Sequence, residues 1–295
     1  MTLHQFQKEF GTEEACRDHL YKKRWPKGYV CPKCGHNEHF NITSRHLYQC
    51  KVCHFQTSVT AGTIMDKTRT PLTKWFLAMY LMSEDKRGCS ALALQQKLGI
   101  AYLTAWTISH KIRFAMQERN QLYVLDGTVE MDESFFGATR EGSKRGRGTE
   151  KTAVLVAVSL TDDGKPKFAQ MKVVKSVDSE TVSDFAASSI RKGARIRTDG
   201  LNVYNALGGE GYNLIKTPYD PKNKPEHLHW LHIIISNVKA FVLGTYHGLD
   251  EIHLQKYLDE FCYRFNRRNM AFNLFSHITN ACANSRKFPY YVLVE

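Results

Sequence analysis

Thr128-Val-Glu-Met-Asp-Glu-Ser134 and Ala194-Arg-Ile-Arg-Thr-Asp-Gly200 decide the reading of this chain. Each is a short β-rich or alternating run, and each reads as a strand carrying or ending on an aspartate: Asp132 in the first, Asp199 in the second. Strand-end carboxylates from different strands of one sheet can converge on a pair of divalent metals. Two such ions ~4 Å apart activate a water or hydroxyl and stabilise the leaving oxygen of a phosphodiester. A lone Asp before Gly is more often a turn or a helix cap, so the weight rests on what surrounds the two residues.

Around them the pattern is that of a mixed sheet. Residues 128–133, 151–160 and 168–174 read as strands, 179–192 as a helix, 194–198 as a fourth strand and 200–207 as a short helix. An antiparallel run followed by a strand–helix–strand crossing predicts an α/β sheet covered by helices. Asp132 then lies on the first strand and Asp199 just beyond the fourth. Residues 231–243 read as a buried helix ending at Gly244. His232, Ser236 and Lys239 share one face of it, because seven residues advance ~700°, nearly two whole turns. Asn237 falls ~140° from His232 and ~200° from Lys239. His232 therefore reads either as a core histidine or as a side chain paired with Lys239 at a site. In the tail, residues 250–268 predict an amphipathic helix. Phe261, Tyr263 and Phe265 pack inward, and Arg264, Arg267 and Arg268 are either solvated or turned to phosphate.

Nearer the N-terminus, four cysteines are spaced Cys31-x2-Cys34-x15-Cys50-x2-Cys53, the two-knuckle spacing of a structural zinc site. Each C-x2-C pair turns tightly enough to present two thiolates to one tetrahedral ion. Gly35 supplies a position where positive φ is useful, and residues 39–42 and 46–49 alternate like a short β-ribbon. Cys16, Cys89, Cys262 and Cys282 lack such partners and read as core or surface thiols. Between ribbon and sheet lies a helical module. Thr70-Pro71 starts a helix running to Ser83, Cys89 to Gly99 gives a second that stops at glycine, and residues 103–116 a third. Helix, glycine turn, helix is a helix-turn-helix signature. Its second helix would present Thr104, Thr107, His110, Lys111 and Arg113 to a major groove. The same pattern also suits a plain helical hairpin that supports the next domain.

The chain has 295 residues and a formal net charge of +12, which favours a polyanionic partner and salt-dependent binding. Basic residues crowd Lys22-Lys-Arg24 and the glycine-rich stretch from Arg140 to Gly148. There Lys144, Arg145 and Arg147 read as a phosphate-contacting arm or as a solvated hairpin tip. Apolar content of 42% with 12% aromatics describes a globular protein rather than a disordered one. No apolar run reaches the ~20 residues of a membrane span. The opening Met1-Thr-Leu-His-Gln-Phe-Gln-Lys-Glu-Phe10 lacks the apolar core of a signal peptide, so a cytoplasmic location with reduced or metal-bound cysteines is expected.

Taken in order, Trp25-Pro-Lys-Gly-Tyr-Val-Cys-Pro-Lys-Cys-Gly35, Thr60-Ala-Gly-Thr63, Val129-Glu-Met-Asp-Glu-Ser134, Arg197-Thr-Asp-Gly200 and Gly244-Thr-Tyr-His-Gly248 resemble a known family. It is the ISXO-type bacterial insertion-sequence transposases related to Merlin transposons, with an N-terminal zinc ribbon and a DDE-type catalytic domain. The resemblance covers nearly the whole chain. It implies an RNase H-like fold, magnesium or manganese at the catalytic site, and cleavage of transposon-end DNA followed by strand transfer. It also implies a nucleoid-associated protein that acts on double-stranded element ends and target DNA as a homo-oligomer. Expected domains are 1–66 (N-terminal helix and ribbon), 67–122 (helix-turn-helix-like module) and 123–295 (RNase H-like domain). Asp132 and Asp199 match the first two acids. The third departs: such families often place Glu seven residues before Lys or Arg, and counting back from Lys239 gives His232. Some relatives carry Asn instead, which makes Asn237 the rival. That departure leaves open a DNA-binding regulator with a decayed site, or a nuclease without strand transfer.

Overall fold

The computed structural model describes residues 1–137, 151–218, 228–246 and 249–294. Contacts divide it into two units: residues 1–118 with 270–295, and residues 119–269. The last segment, 270–295, groups by contact with the N-terminal residues.

In the first unit, α1 (Leu3–Phe10) and α2 (Glu13–Arg24) each begin at a threonine whose hydroxyl accepts a backbone N–H. A small antiparallel sheet follows, β1 (His39–Ile42), β2 (Leu47–Cys50) and β3 (Gln56–Thr57). Its three strands are too short to be stable alone. Tyr21, Trp25, Tyr29, His39 and Tyr48 pack ring to ring behind them, with centroids 4.6–6.2 Å apart, which ties the ribbon to α2. Arg24 donates to the carbonyls of Ser58 and Val59, both at 3.0 Å, and fixes the turn that carries Thr60 to Thr63. Then come α3 (Leu72–Glu84), α4 (Ala91–Leu98) and α5 (Tyr102–Asn120), the helices expected from the sequence. Gly99 ends α4 in the left-handed region at φ 58°, where glycine carries no Cβ penalty. Two C-terminal helices unforeseen in the sequence complete the chain, α10 (Leu274–Asn284) and α11 (Tyr291–Val294). α10 lies on α2 and α3, with Phe275 among Phe6, Phe10 and Phe76.

The second unit holds a five-stranded sheet. Its strands are β4 (Thr128–Phe136), β5 (Thr152–Leu160), β6 (Pro166–Val174), β7 (Arg195–Asp199) and β8 (Asn213–Thr217), in the order β6-β5-β4-β7-β8. The first three strands are antiparallel neighbours; β7 and β8 run parallel to β4. Crossovers carry α6 (Ser179–Ser189) before β7 and α7 (Ala206–Gly209) before β8. α8 (His229–Thr245) and α9 (Glu251–Phe265) follow. This order and these directions are those of an RNase H-like sheet. β8 was missed in the sequence. Only its buried and exposed alternation could have marked it, and that is weak in Asn213-Leu-Ile-Lys-Thr217, where Ile215 is exposed.

Period-2 geometry sorts the sheet's side chains between two cores. Val129, Met131, Leu155, Ala157 and Ile196 face α6 together with Tyr204 and Leu207. Phe136, Val154, Val156 and Val158 face the other way, against Leu231, Ile234, Val238 and Val242 of α8 and Leu254 and Leu258 of α9.

Candidate metal centres

The first centre lies in the ribbon. The sulfurs of Cys31, Cys34, Cys50 and Cys53 all fall within 4.8 Å of one another. Cys31 and Cys53 are 3.6 Å apart, and Cys34 and Cys50 are 3.5 Å apart. A tetrahedral zinc with ~2.3 Å bonds sets sulfurs ~3.8 Å apart, so the cluster fits that ion. Burial pushes the Cys31 thiol up, but the backbone N–H groups of Cys34 and Lys33 and the neighbouring thiols together bring it down to about 6. At Cys34 the His36 N–H works downward, yet the other cysteines and burial push it to about 12. Four crowded thiols cannot all ionise without a cation; zinc removes that conflict.

The second centre lies where the middle of β4 meets the carboxyl end of β7. Their parallel register pairs Thr128 with Arg195, Val129 with Ile196 and Glu130 with Arg197. The same offset carried on by two residues sets Asp132 beside Asp199. Both lie on the α8 face, since Val129, Met131 and Ile196 point to the other core. Asp132 Oδ1 accepts the Glu133 N–H at 2.8 Å, and Asp199 Oδ1 accepts the Leu201 N–H at 3.1 Å. Gly200 lets the chain after β8 come close, because a Cβ there would meet Pro218 Cγ at 3.2 Å.

The side chain that approaches Asp132 from α8 is His232, whose Nε2 stands 3.8 Å from Asp132 Oδ2. His232 is half exposed, and Lys239 lies further along the same face, half-buried, its ammonium 5.6 Å from the centre of the Phe136 ring. Burial and then the neighbouring Lys151 charge hold Lys239 below the usual lysine range. Asn237 is exposed, and among the described residues no hydrogen bond joins it to either aspartate.

Tyr204 was not foreseen. It is fully buried, and its hydroxyl donates to Glu133 Oε2 at 2.8 Å. Burial first, then the charges of Glu133, Asp132 and Asp199, push its phenol far above the usual range. It therefore stays neutral under the three carboxylates. Glu133 itself points to the α6 face, opposite Asp132.

The expected groove-reading face of α5 needs correction. His110 and Arg113 are buried at 0% and 1% exposure and cannot meet DNA there. Helical spacing identified a face but not which way it turned. Thr104 and Lys111 are half exposed, and Thr107 is half exposed with its hydroxyl donating to Leu103 O at 2.7 Å. Lys144, Arg145 and Arg147 lie outside the described residues, as do His247 and Gly248 of the last motif.

A zinc ribbon followed by an RNase H-like sheet is the architecture that two transposase domain models match in this chain. The ribbon model for transposases matches residues 11–56, and the ISXO2-like transposase domain matches residues 124–266. The chain belongs to the IS1595-type insertion-sequence transposases, joining that family's ribbon to its ISXO2-like domain. A protein of the transposable element ISH50 of Halobacterium salinarum is 25% identical over 215 residues, 68% of this chain and 71% of that protein. Among solved structures, the catalytic core domain of BIV integrase is 14% identical at a TM-score of 0.32, covering 48% of this chain and 85% of that one. A pre-cleavage Mos1 transpososome is 13% identical at 0.31, covering 72% and 78%. Strand order and direction define the fold; these distant likenesses add no weight. Among the described residues no helix is long and apolar enough to cross a membrane.

Proposed function

We propose that this transposase binds the terminal inverted repeats of its element and performs metal-dependent strand cleavage and strand transfer at Asp132 of β4 and Asp199 of β7. One observation carries the reading. Asp132 in the middle of β4 and Asp199 at the end of the adjacent parallel strand β7 both face α8, and His232 of α8 comes within 3.8 Å of the first. The donor set of two carboxylates and an imidazole suits magnesium or manganese, with the oxygens preferred by hard ions. Asp132, Asp199 and His232 would hold it. Bound there, the metal pair supplies the Lewis acidity that activates water or a 3′-hydroxyl and steadies the leaving oxygen. Lys239 contributes positive charge to the phosphate beside the scissile bond. The half-buried setting of that ammonium makes an incoming phosphate a stronger partner than water. Tyr204 holds Glu133 on the far face, away from Asp132.

The ribbon and the α3–α5 module would grip the element ends. Thr104, Thr107 and Lys111 are the side chains of α5 left to reach DNA, with Lys144, Arg145 and Arg147 as a further arm. On this reading the protein acts as a homo-oligomer on DNA. Histidine where the resemblance often implies Glu favours a second reading, in which the protein binds ends without cleaving them or cleaves without joining.

One assay separates the three. Purified protein is incubated with magnesium or manganese and labelled element ends, and products are resolved on denaturing gels. Nicked and joined products are expected. Asp132→Asn and Asp199→Asn should each abolish both and spare end binding, because the charge that holds the metals is gone. Cleavage persisting in either variant removes that aspartate from the mechanism. Shifted DNA without nicking supports the regulator, and nicks without joints support the nuclease.

A further inference from the structure

Glu130 is 2% exposed and carries a carboxylate two residues before Asp132 on the same face of β4. Its Oε2 accepts the Leu231 N–H at 3.0 Å, in the first turn of α8. Its Oε1 stands 3.5 Å from Nη1 of Arg197, which is also its register partner on β7. α8 has need of such a group. Its capping residue Leu228 sits at φ 43° with no side-chain cap hydrogen bond, and its first turn has no acidic residue. A helix start leaves orphan N–H groups and a positive dipole end, and a carboxylate answers both. Here that carboxylate comes from a neighbouring strand rather than from the helix itself.

The consequence lies in spacing. One carboxylate joins three elements: β4 two residues before Asp132, β7 two residues before Asp199, and α8 one residue before His232. We propose that Glu130 is a positioning residue, which locks the start of α8 to both aspartate-bearing strands and so sets His232 against Asp132. The role of the site itself rests on the function proposed above; the locking of α8 does not. Without Glu130, the His232 imidazole is free to move by more than a metal shell tolerates.

The test uses the zinc-loaded full chain with Mn2+ as the probe, titrated by electron paramagnetic resonance. Hydrogen–deuterium exchange is followed in parallel on peptides spanning residues 229–235. Glu130→Ala should speed exchange at the start of α8 and lower Mn2+ affinity about tenfold or more, as loss of groups that orient metal ligands does. Glu130→Gln keeps an oxygen for the Leu231 N–H and should rescue affinity to within about threefold of wild type. In a His232→Ala background, Glu130→Ala should cost less than about twofold, because its effect passes through His232. Unchanged exchange in Glu130→Ala, or full additivity with His232→Ala, overturns the proposal. If Glu130→Ala fails to fold, Glu130→Asp, shorter by one methylene, carries the test: faster exchange and weaker Mn2+ binding are expected, and wild-type values in both overturn it. If wild type binds no Mn2+, the metal reading of the site falls. Exchange at residues 229–235 then decides the role of Glu130 alone.

Discussion

On the proposed reading, activity turns on the third position of the site. His232 offers a neutral nitrogen where an oxygen ligand suits magnesium better, yet it is the α8 side chain that reaches Asp132, at 3.8 Å. Asn237 is one turn along and rotated away. His232→Ala should therefore reduce cleavage about a hundredfold or more, on the scale of losing a ligand or its orienting partner, and Asn237→Ala should be much milder. Single-turnover cleavage of labelled ends ranks the two, and the reverse order would move the role to Asn237. A second residue-scale expectation concerns Asp259 in α9. Burial raises its carboxyl to about 7, with the Gln255 hydrogen bond opposing, and its Oδ2 is buried with no hydrogen bond among the described residues. A carboxyl raised on folding makes the folded state hold the proton longer than the unfolded chain. Stability then falls as pH climbs from about 4 to about 7 and stays low above that. Asp259→Asn should flatten that fall and raise the melting temperature at pH 8 relative to wild type. Thermal melts from pH 4 to pH 8 check it, and parallel curves for the two proteins would count against it. The aspartates and the His232 face were legible because parity and helical angle are local properties of the chain. Glu130 and Tyr204 were not, because their partners lie 101 and 71 residues away.

Among the elements, those written in local chemistry were the ones read correctly. A proline turn starts α3, a serine caps α4, and Gly99 closes it in the left-handed region. The Gly99 N-terminal neighbour Leu98 is buried, so the turn after α4 also fixes how that helix seats. Gly99→Ala should cost about 1 kcal/mol, since a Cβ strains that backbone conformation. Urea unfolding with an unchanged slope would measure it, and a variant as stable as wild type would mean that the turn relaxes at no cost. β8 and α10 escaped for the opposite reason. The edge strand β8 owes its existence to parallel pairing with β7, and α10 to a place on α2 and α3. Tertiary contact supplies what propensity lacks. His110 and Arg113 show the same limit within a correctly placed helix: α5 runs where expected, but packing turned those two polar side chains inward.

At the scale of the whole molecule, stability comes from different sources in the two units. The sheet of the second unit is held by two apolar cores, one on each face, and burial on that scale needs no metal. The ribbon is the contrary case. Its strands of four, four and two residues bury little beyond the sulfurs and the aromatic rings on α2, too little to offset the entropy of ordering them. Zinc binding then supplies folding free energy to residues 31–57. Stripping zinc with a strong chelator should open this segment to protease while residues 152–217 keep their protection in the same digest. Cys31→Ser should reproduce the effect without a chelator, because three sulfurs hold the ion far less firmly than four. End binding should weaken in both cases, with the catalytic sheet still folded. A metal-free protein whose ribbon resists protease as well as the zinc-loaded form would show that the aromatic packing of Tyr21, Trp25, Tyr29 and Tyr48 suffices. Loss of the sheet along with the ribbon would show that the two units do not fold independently.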